Sequence, residues 1–123
     1  MDKPTRKDTI NLRVWKSSTG VQVLQGIVGV IDYPIAIHRD LTEFEQIQNG
    51  RRSRYSSYWC ATHIPTGKSM GVNTSDWDAL VQYVESIKDH PVLLMINDDT
   101  MQNHPLYNDM VAKHQKAKRD ANI

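Results

Sequence analysis

The densest chemistry in this 123-residue chain lies in one stretch, Arg51-Arg52-Ser53-Arg54-Tyr55-Ser56-Ser57-Tyr58-Trp59. A guanidinium grips phosphate or carboxylate through paired hydrogen bonds, and aromatic rings stack on bases. Three arginines and three aromatics within nine residues therefore suit a nucleotide-like anion, a single-stranded nucleic acid or an anionic protein surface. Arg51, Arg52, Arg54, Tyr55, Tyr58 and Trp59, with His63 four positions further on, are the expected ligand-binding residues. The competing reading is a solvated loop whose tyrosines pack at a sheet edge, because Arg and Tyr are also ordinary interface material.

Other combinations carry less. Gly67-Lys68-Ser69 resembles the end of a phosphate-binding loop, but that motif needs a glycine where Thr62 stands and a helix after the serine. Cys60 and His63 are three apart in an expected strand, so they point to opposite faces and make a poor nucleophile–base or metal pair. The remaining histidines, His38, His90, His104 and His114, fall on different elements and lack zinc-ligand spacing. Asp98 and Asp99 lie in an Asn97–Thr100 turn, where such side chains cap backbone. Asp98 with His104 is the acid–imidazole pair to examine first for catalysis. Neither a metal, a cofactor nor a catalytic residue is expected, and the chain reads as a non-enzymatic protein. Lys113, Lys116, Lys118 and Arg119 surround His114 near the end, as a helix C-terminus favours; a nucleic-acid contact is the alternative.

Composition sets the frame for these residues. A length of 123 suits one domain able to bury its own core. The hydrophobic share of 39% and charged share of 24% exclude a wholly disordered chain. Net charge is +1, so charge-driven binding must come from a local patch. A lone cysteine, Cys60, forbids an internal disulfide and suits a reducing compartment. No secretion signal or membrane-length apolar run stands out, so the expectation is a cytoplasmic protein without a membrane contact.

The elements that must position the chemistry follow from periodicity. Residues 1–8 read as a flexible arm, 9–119 as one domain and 120–123 as a tail. Thr9–Lys16 alternates, with Ile10, Leu12 and Val14 on one face and Asn11, Arg13 and Trp15 on the other. Gly20 closes the next turn. In the second strand Val21 and Val23 share a face, whereas Val28 and Val30 take the opposite parity; Gly26 sits at the slip and implies a β-bulge. Asp32-Tyr33-Pro34 turns into a short strand, Ile35–His38, and Asp40–Gly50 suits a short helix.

A hairpin is expected over Tyr58–Asn73, with Gly67 closing a three-residue loop. That register puts Cys60, Thr62 and Ile64 with Lys68, Met70 and Val72 on the apolar face. Trp59, Ala61 and His63 then face away, as Trp15 and Arg13 do on the first strand, and two such tryptophans need cover. A helix capped by Ser75 presents Trp77, Leu80, Val81, Val84 and Ile87 as one stripe and stops before Pro91. Val92–Ile96 reads as a buried strand. A last helix starts at Pro105, with Leu106, Met110, Val111 and Ala117 on its inner side. The fold class is α+β, a small antiparallel or mixed β-sheet with two main helices packed on one face.

The run Tyr58-Trp59-Cys60-Ala61-Thr62-His63-Ile64-Pro65-Thr66-Gly67, with Ser75–Leu80 opening a helix, resembles a pattern of small phage and plasmid accessory proteins. The resemblance covers about a quarter of the chain and brings no site residues with it. It implies a mobile-element protein that binds a host component and inhibits or sequesters it. The expected partner is thus a host protein or a nucleotide-like anionic ligand, with nucleic acid as the rival, and a homo-oligomer is compatible with the sequence.

Overall fold

The computed structural model describes residues 1–16, 20–40, 58–95 and 98–123. Five strands form one antiparallel sheet in the order β1-β2-β3-β4-β5: β1 (Thr9–Lys16), β2 (Gly20–Asp32), β3 (Ile35–Arg39), β4 (Trp59–His63) and β5 (Ser69–Thr74). Two main helices, α1 (Trp77–Ile87) and α3 (Tyr107–Ala121), pack on one face of it. Between them come a 3-10 turn (Pro91–Leu94) and a short helix, α2 (Asp98–Gln102).

The first hairpin follows its alternation closely. Leu12 and Val14 are buried while Asn11, Arg13 and Trp15 are exposed. The expected bulge is present: pairing moves from Ile10↔Ile27 to Leu12↔Leu24, so Asn11 stands opposite both Gln25 and Gly26. Gly26 takes φ +72°, where a side chain would be strained, and its N–H donates to Asn11 Oδ1. The extra residue lets Leu24 and Ile27, three apart, both reach the same apolar cluster.

The second hairpin corrects its expected register. His63 N–H donates to Lys68 O and Gly67 N–H to His63 O, so the loop holds four residues, Ile64 to Gly67, where three were expected. One added residue exchanges the faces of a strand. Thr62 consequently pairs with Ser69 and Cys60 with Asn73, with a further irregularity at Gly71. Trp59, Ala61 and His63 therefore face inward with Met70 and Val72, opposite to the expected arrangement. Gly67 does adopt the expected left-handed backbone, at φ +72°.

Other expectations are also corrected. Asp76, rather than Ser75, caps α1, its carboxylate accepting from Ala79 N–H at 3.1 Å. The α1 stripe includes Tyr83, which the periodicity omitted. Where a strand was expected from Val92, Pro91 opens a 3-10 turn and His90 caps it by accepting from Val92 N–H. Proline presets the helical φ at that point, and the sheet ends at β5. Asp98 begins a helix instead of lying in a turn, and the last helix starts at Tyr107 rather than Pro105, leaving Leu106 exposed. The helix expected over Asp40–Gly50 lies outside the described residues beyond Asp40 itself.

Each face of the sheet has its own core. Ile35, Ile37, Trp59, Ala61 and Val72 pack under the helices with Leu80, Tyr83, Val84, Val92 and Leu93. On the other face Leu12, Val14, Leu24, Ile27 and Ala36 make a smaller cluster with Ile64 beside it. The second cluster exists because the sheet curls: β1 reaches the β4–β5 loop, and Trp15 N–H donates to Gly67 O at 2.9 Å. Residues expected to form a free arm make contacts too, Asp8 O accepting from Gly29 N–H and Met1 O from Trp77 Nε1–H. No helix among the described residues is long and apolar enough to cross a membrane.

Candidate functional site

The expected binding segment enters and leaves the fold at one point. β3 and β4 are antiparallel neighbours, and past their last pair, Arg39↔Trp59, Asp40 N–H donates to Tyr58 O. Residues 41–57 therefore connect two strand ends that lie side by side. Arg51, Arg52, Arg54 and Tyr55 lie outside the described residues. Tyr58 is 49% exposed at the stem. Trp59 and His63 are placed differently.

Trp59 is fully buried. Its ring meets Trp77 edge-on, with centroids 4.8 Å apart, and Arg39 Cζ lies 3.9 Å from its centroid. A helix thus supplies the cover this tryptophan needed, and the guanidinium adds a cation–π contact of about 0.5–2 kcal/mol. Its indole N–H finds no hydrogen-bond partner among the described residues.

His63 is held by the protein's own groups. A carbonyl oxygen only accepts, so Nε2–H donates to Leu93 O, and Nδ1 must accept from the Thr66 hydroxyl at 2.9 Å. Thr66 in turn accepts from Lys68 N–H. The ring ties the β4–β5 loop to the 3-10 turn thirty residues away. His90 acts similarly, donating through Nε2 to Asp109 at 2.9 Å. His104 Nδ1 accepts from Leu106 N–H at the start of α3, so its pairing is with backbone.

On the opposite face of β4, Cys60 stands across from His38, not beside His63. The Cys60 thiol lies 3.8 Å from Asp40 Oδ2, which also accepts from Asn73 Nδ2 at 2.7 Å. Burial first, and then the Asp40 charge and hydrogen bond, push the Cys60 thiol up to about 12, so it stays protonated near neutrality. His38 donates through Nδ1 to Arg39 O and accepts at Nε2 from Thr62. Burial lowers its pKa below the ordinary imidazole value. Among the described residues no three His, Cys, Asp or Glu side chains gather to hold a metal ion.

The other tryptophan has no such cover. Trp15 pairs across strands with Val21, and Arg13 with Val23, on the outer face of the first hairpin. Trp15 is 44% exposed, Val21 52% and Val23 61%. Lys68 Nζ lies 4.6 Å above the Trp15 ring. The signal was in the sequence, since Val21 and Val23 share a parity, but only the pairing register shows that Trp15 and Arg13 join them.

No protein-family model matches the chain, and neither a curated protein nor a solved structure matches it. Function is therefore read from the surface chemistry itself.

Proposed function

We propose that this chain is a non-enzymatic binding protein that sequesters a partner protein of the host cell through an apolar-basic surface. The observation that carries the reading is the four-residue outer face of the β1–β2 hairpin, Trp15, Val21, Val23 and Arg13. Tryptophan and arginine are the side chains most often found as binding anchors, and a rigid two-stranded ribbon holds them at little entropic cost. Arg13 beside the valines and Lys68 over the indole give the face a positive border, which fits a partner surface that mixes apolar and acidic groups. Arg51, Arg52, Arg54 and Tyr55, which precede Tyr58 in the sequence, carry the same chemistry.

Affinity purification from the native cell with wild-type protein should return one protein component in near-stoichiometric amount. Val23→Asp, on an exposed strand position, should lose it while keeping the wild-type melting temperature. A triple change of Arg51, Arg52 and Arg54 to alanine should weaken capture further. Equal recovery by wild type and Val23→Asp would remove the reading. Recovery of nucleic acid, with affinity falling steeply in salt, would favour the rival that uses Lys113, Lys116, Lys118 and Arg119.

A further inference from the structure

A cavity of about 240 Å³ opens beneath the β4–β5 loop, between the 3-10 turn, α2 and α3. Three of the chain's five methionines, Met70, Met101 and Met110, line it together with Leu93 and Val111. All five belong to the helix-side core or pack against it, so the hollow continues that core. Methionine is adaptable and polarizable, and a wall made of it accepts varied small shapes. An apolar hole of about 150 Å³ already admits benzene, so this one has room for a substituted ring.

The polar lining residues bring no charge to it. Lys68 holds its ammonium over the Trp15 ring, 4.6 Å from the centroid. Ser69 precedes Met70 in β5, so its side chain turns to the other face of the sheet. His63 is saturated by Thr66 and Leu93 with Nδ1 as an acceptor, which keeps the ring neutral. No described lining residue is acidic. A charged guest would lose its hydration here and meet no opposite charge.

One stripe of α3 forms a whole side of the hollow: Tyr107, Met110, Val111 and His114, spaced i, i+3, i+4 and i+7. Its two polar members stand about 10 Å apart along the helix axis, one at each end of the apolar pair. The Tyr83 hydroxyl is bonded to His114 Nδ1. Tyr83 is fully buried, burial holds it as a phenol, and its proton has no other acceptor among the described residues. It therefore donates, and His114 carries its own proton on Nε2, a bond that none of the described residues takes up.

We propose that this cavity binds a small uncharged molecule, an apolar ring or short hydrocarbon bearing one carbonyl, with the hydrocarbon on the methionines and the carbonyl oxygen accepting from His114 Nε2–H. The site is separate from the outer face of the first hairpin and does not depend on its role.

Acetophenone is a suitable probe. Benzoate matches its size but is charged, and α-methylstyrene matches its shape but lacks the acceptor. Protein carrying methyl-labelled methionine should show saturable shifts of Met70, Met101 and Met110 on adding acetophenone. Benzoate should bind at least about tenfold more weakly. The His114 Nε2 nitrogen signal should move with acetophenone and stay in place with α-methylstyrene. Lys68→Gln and Val23→Asp should both bind acetophenone as wild type does. Met110→Trp should fill the space and abolish binding; the comparison of probes on wild-type protein decides the matter should that variant fail to fold. Methionine signals that stay unmoved at millimolar acetophenone would overturn the proposal. So would equal binding of benzoate, loss of binding in Lys68→Gln, or a His114 signal indifferent to the carbonyl.

Discussion

At the scale of single residues, histidine serves this protein as a fastener. His63, His38 and His90 are buried with both ring nitrogens engaged, and each joins segments distant in sequence or closes a strand end. Replacing His63 by alanine orphans Leu93 O and Thr66 and opens a hole in the core. Denaturant unfolding should show a loss of about 2–4 kcal/mol. Acid sensitivity follows from His38 and His114, whose folded pKa values are both lowered, each mainly by burial. The unfolded chain then binds protons more readily, so their contribution is complete above the ordinary value of 6.5 and is lost as pH falls below it. The melting temperature should drop between about pH 7 and about pH 5, with a shallower slope in His38→Gln. Cys60 has the opposite sense: its raised pKa keeps the folded thiol protonated, and the associated stability declines as pH rises above 9. At about pH 7.5 folded protein should resist iodoacetamide and react once denatured. Rapid labelling of the native chain would contradict the arrangement around Asp40.

At the scale of elements, the strengths and failures of reading sequence have identifiable causes. The bounds of β1 and the bulge at Gly26 were legible because alternation and its slip are local signals. The inward turn of Trp59 was not, since one residue of loop length decides it and Ile64-Pro65-Thr66-Gly67 suits a loop of three or four. The Val92 run misled because a short apolar stretch does not separate a strand from a buried turn; Pro91 and the His90 cap settled it. The cavity beneath the β4–β5 loop was illegible for another reason: its lining comes from that loop, β5, the 3-10 turn, α2 and α3, brought together only by packing. Gly67 joins local and distant constraints. A Cβ there would lie 3.0 Å from Arg13 O and 3.1 Å from Trp15 N, besides the left-handed φ. Gly20 shares that φ but faces open space. Gly67→Ala should therefore destabilise by more than the ~1–2 kcal/mol that the backbone conformation alone costs, and by more than Gly20→Ala, in paired denaturant titrations.

At the scale of the whole molecule, one curled sheet separates two apolar clusters, with helices over the first and the sheet's own β1–β2 hairpin over the second. The three tryptophans sample this arrangement unequally. Trp59 and Trp77 sit against each other in the helix-covered core, and Trp15 stands on the outer ribbon. Iodide should quench the accessible fraction of the emission, and Trp15→Phe should remove that fraction while leaving the protected emission in place. Persistent quenching in the variant would mean that the helix-covered pair is open to solvent.

The hydrogen bond between Asp40 and Tyr58 has a consequence for how this protein can change. Two strand ends held side by side oblige the chain between them to start and finish at one place, whatever its length. Under the proposed function, exchange of positions 41–57 for an unrelated segment should change partner capture, and an unaltered melting temperature would show that the Asp40–Tyr58 closure holds without them.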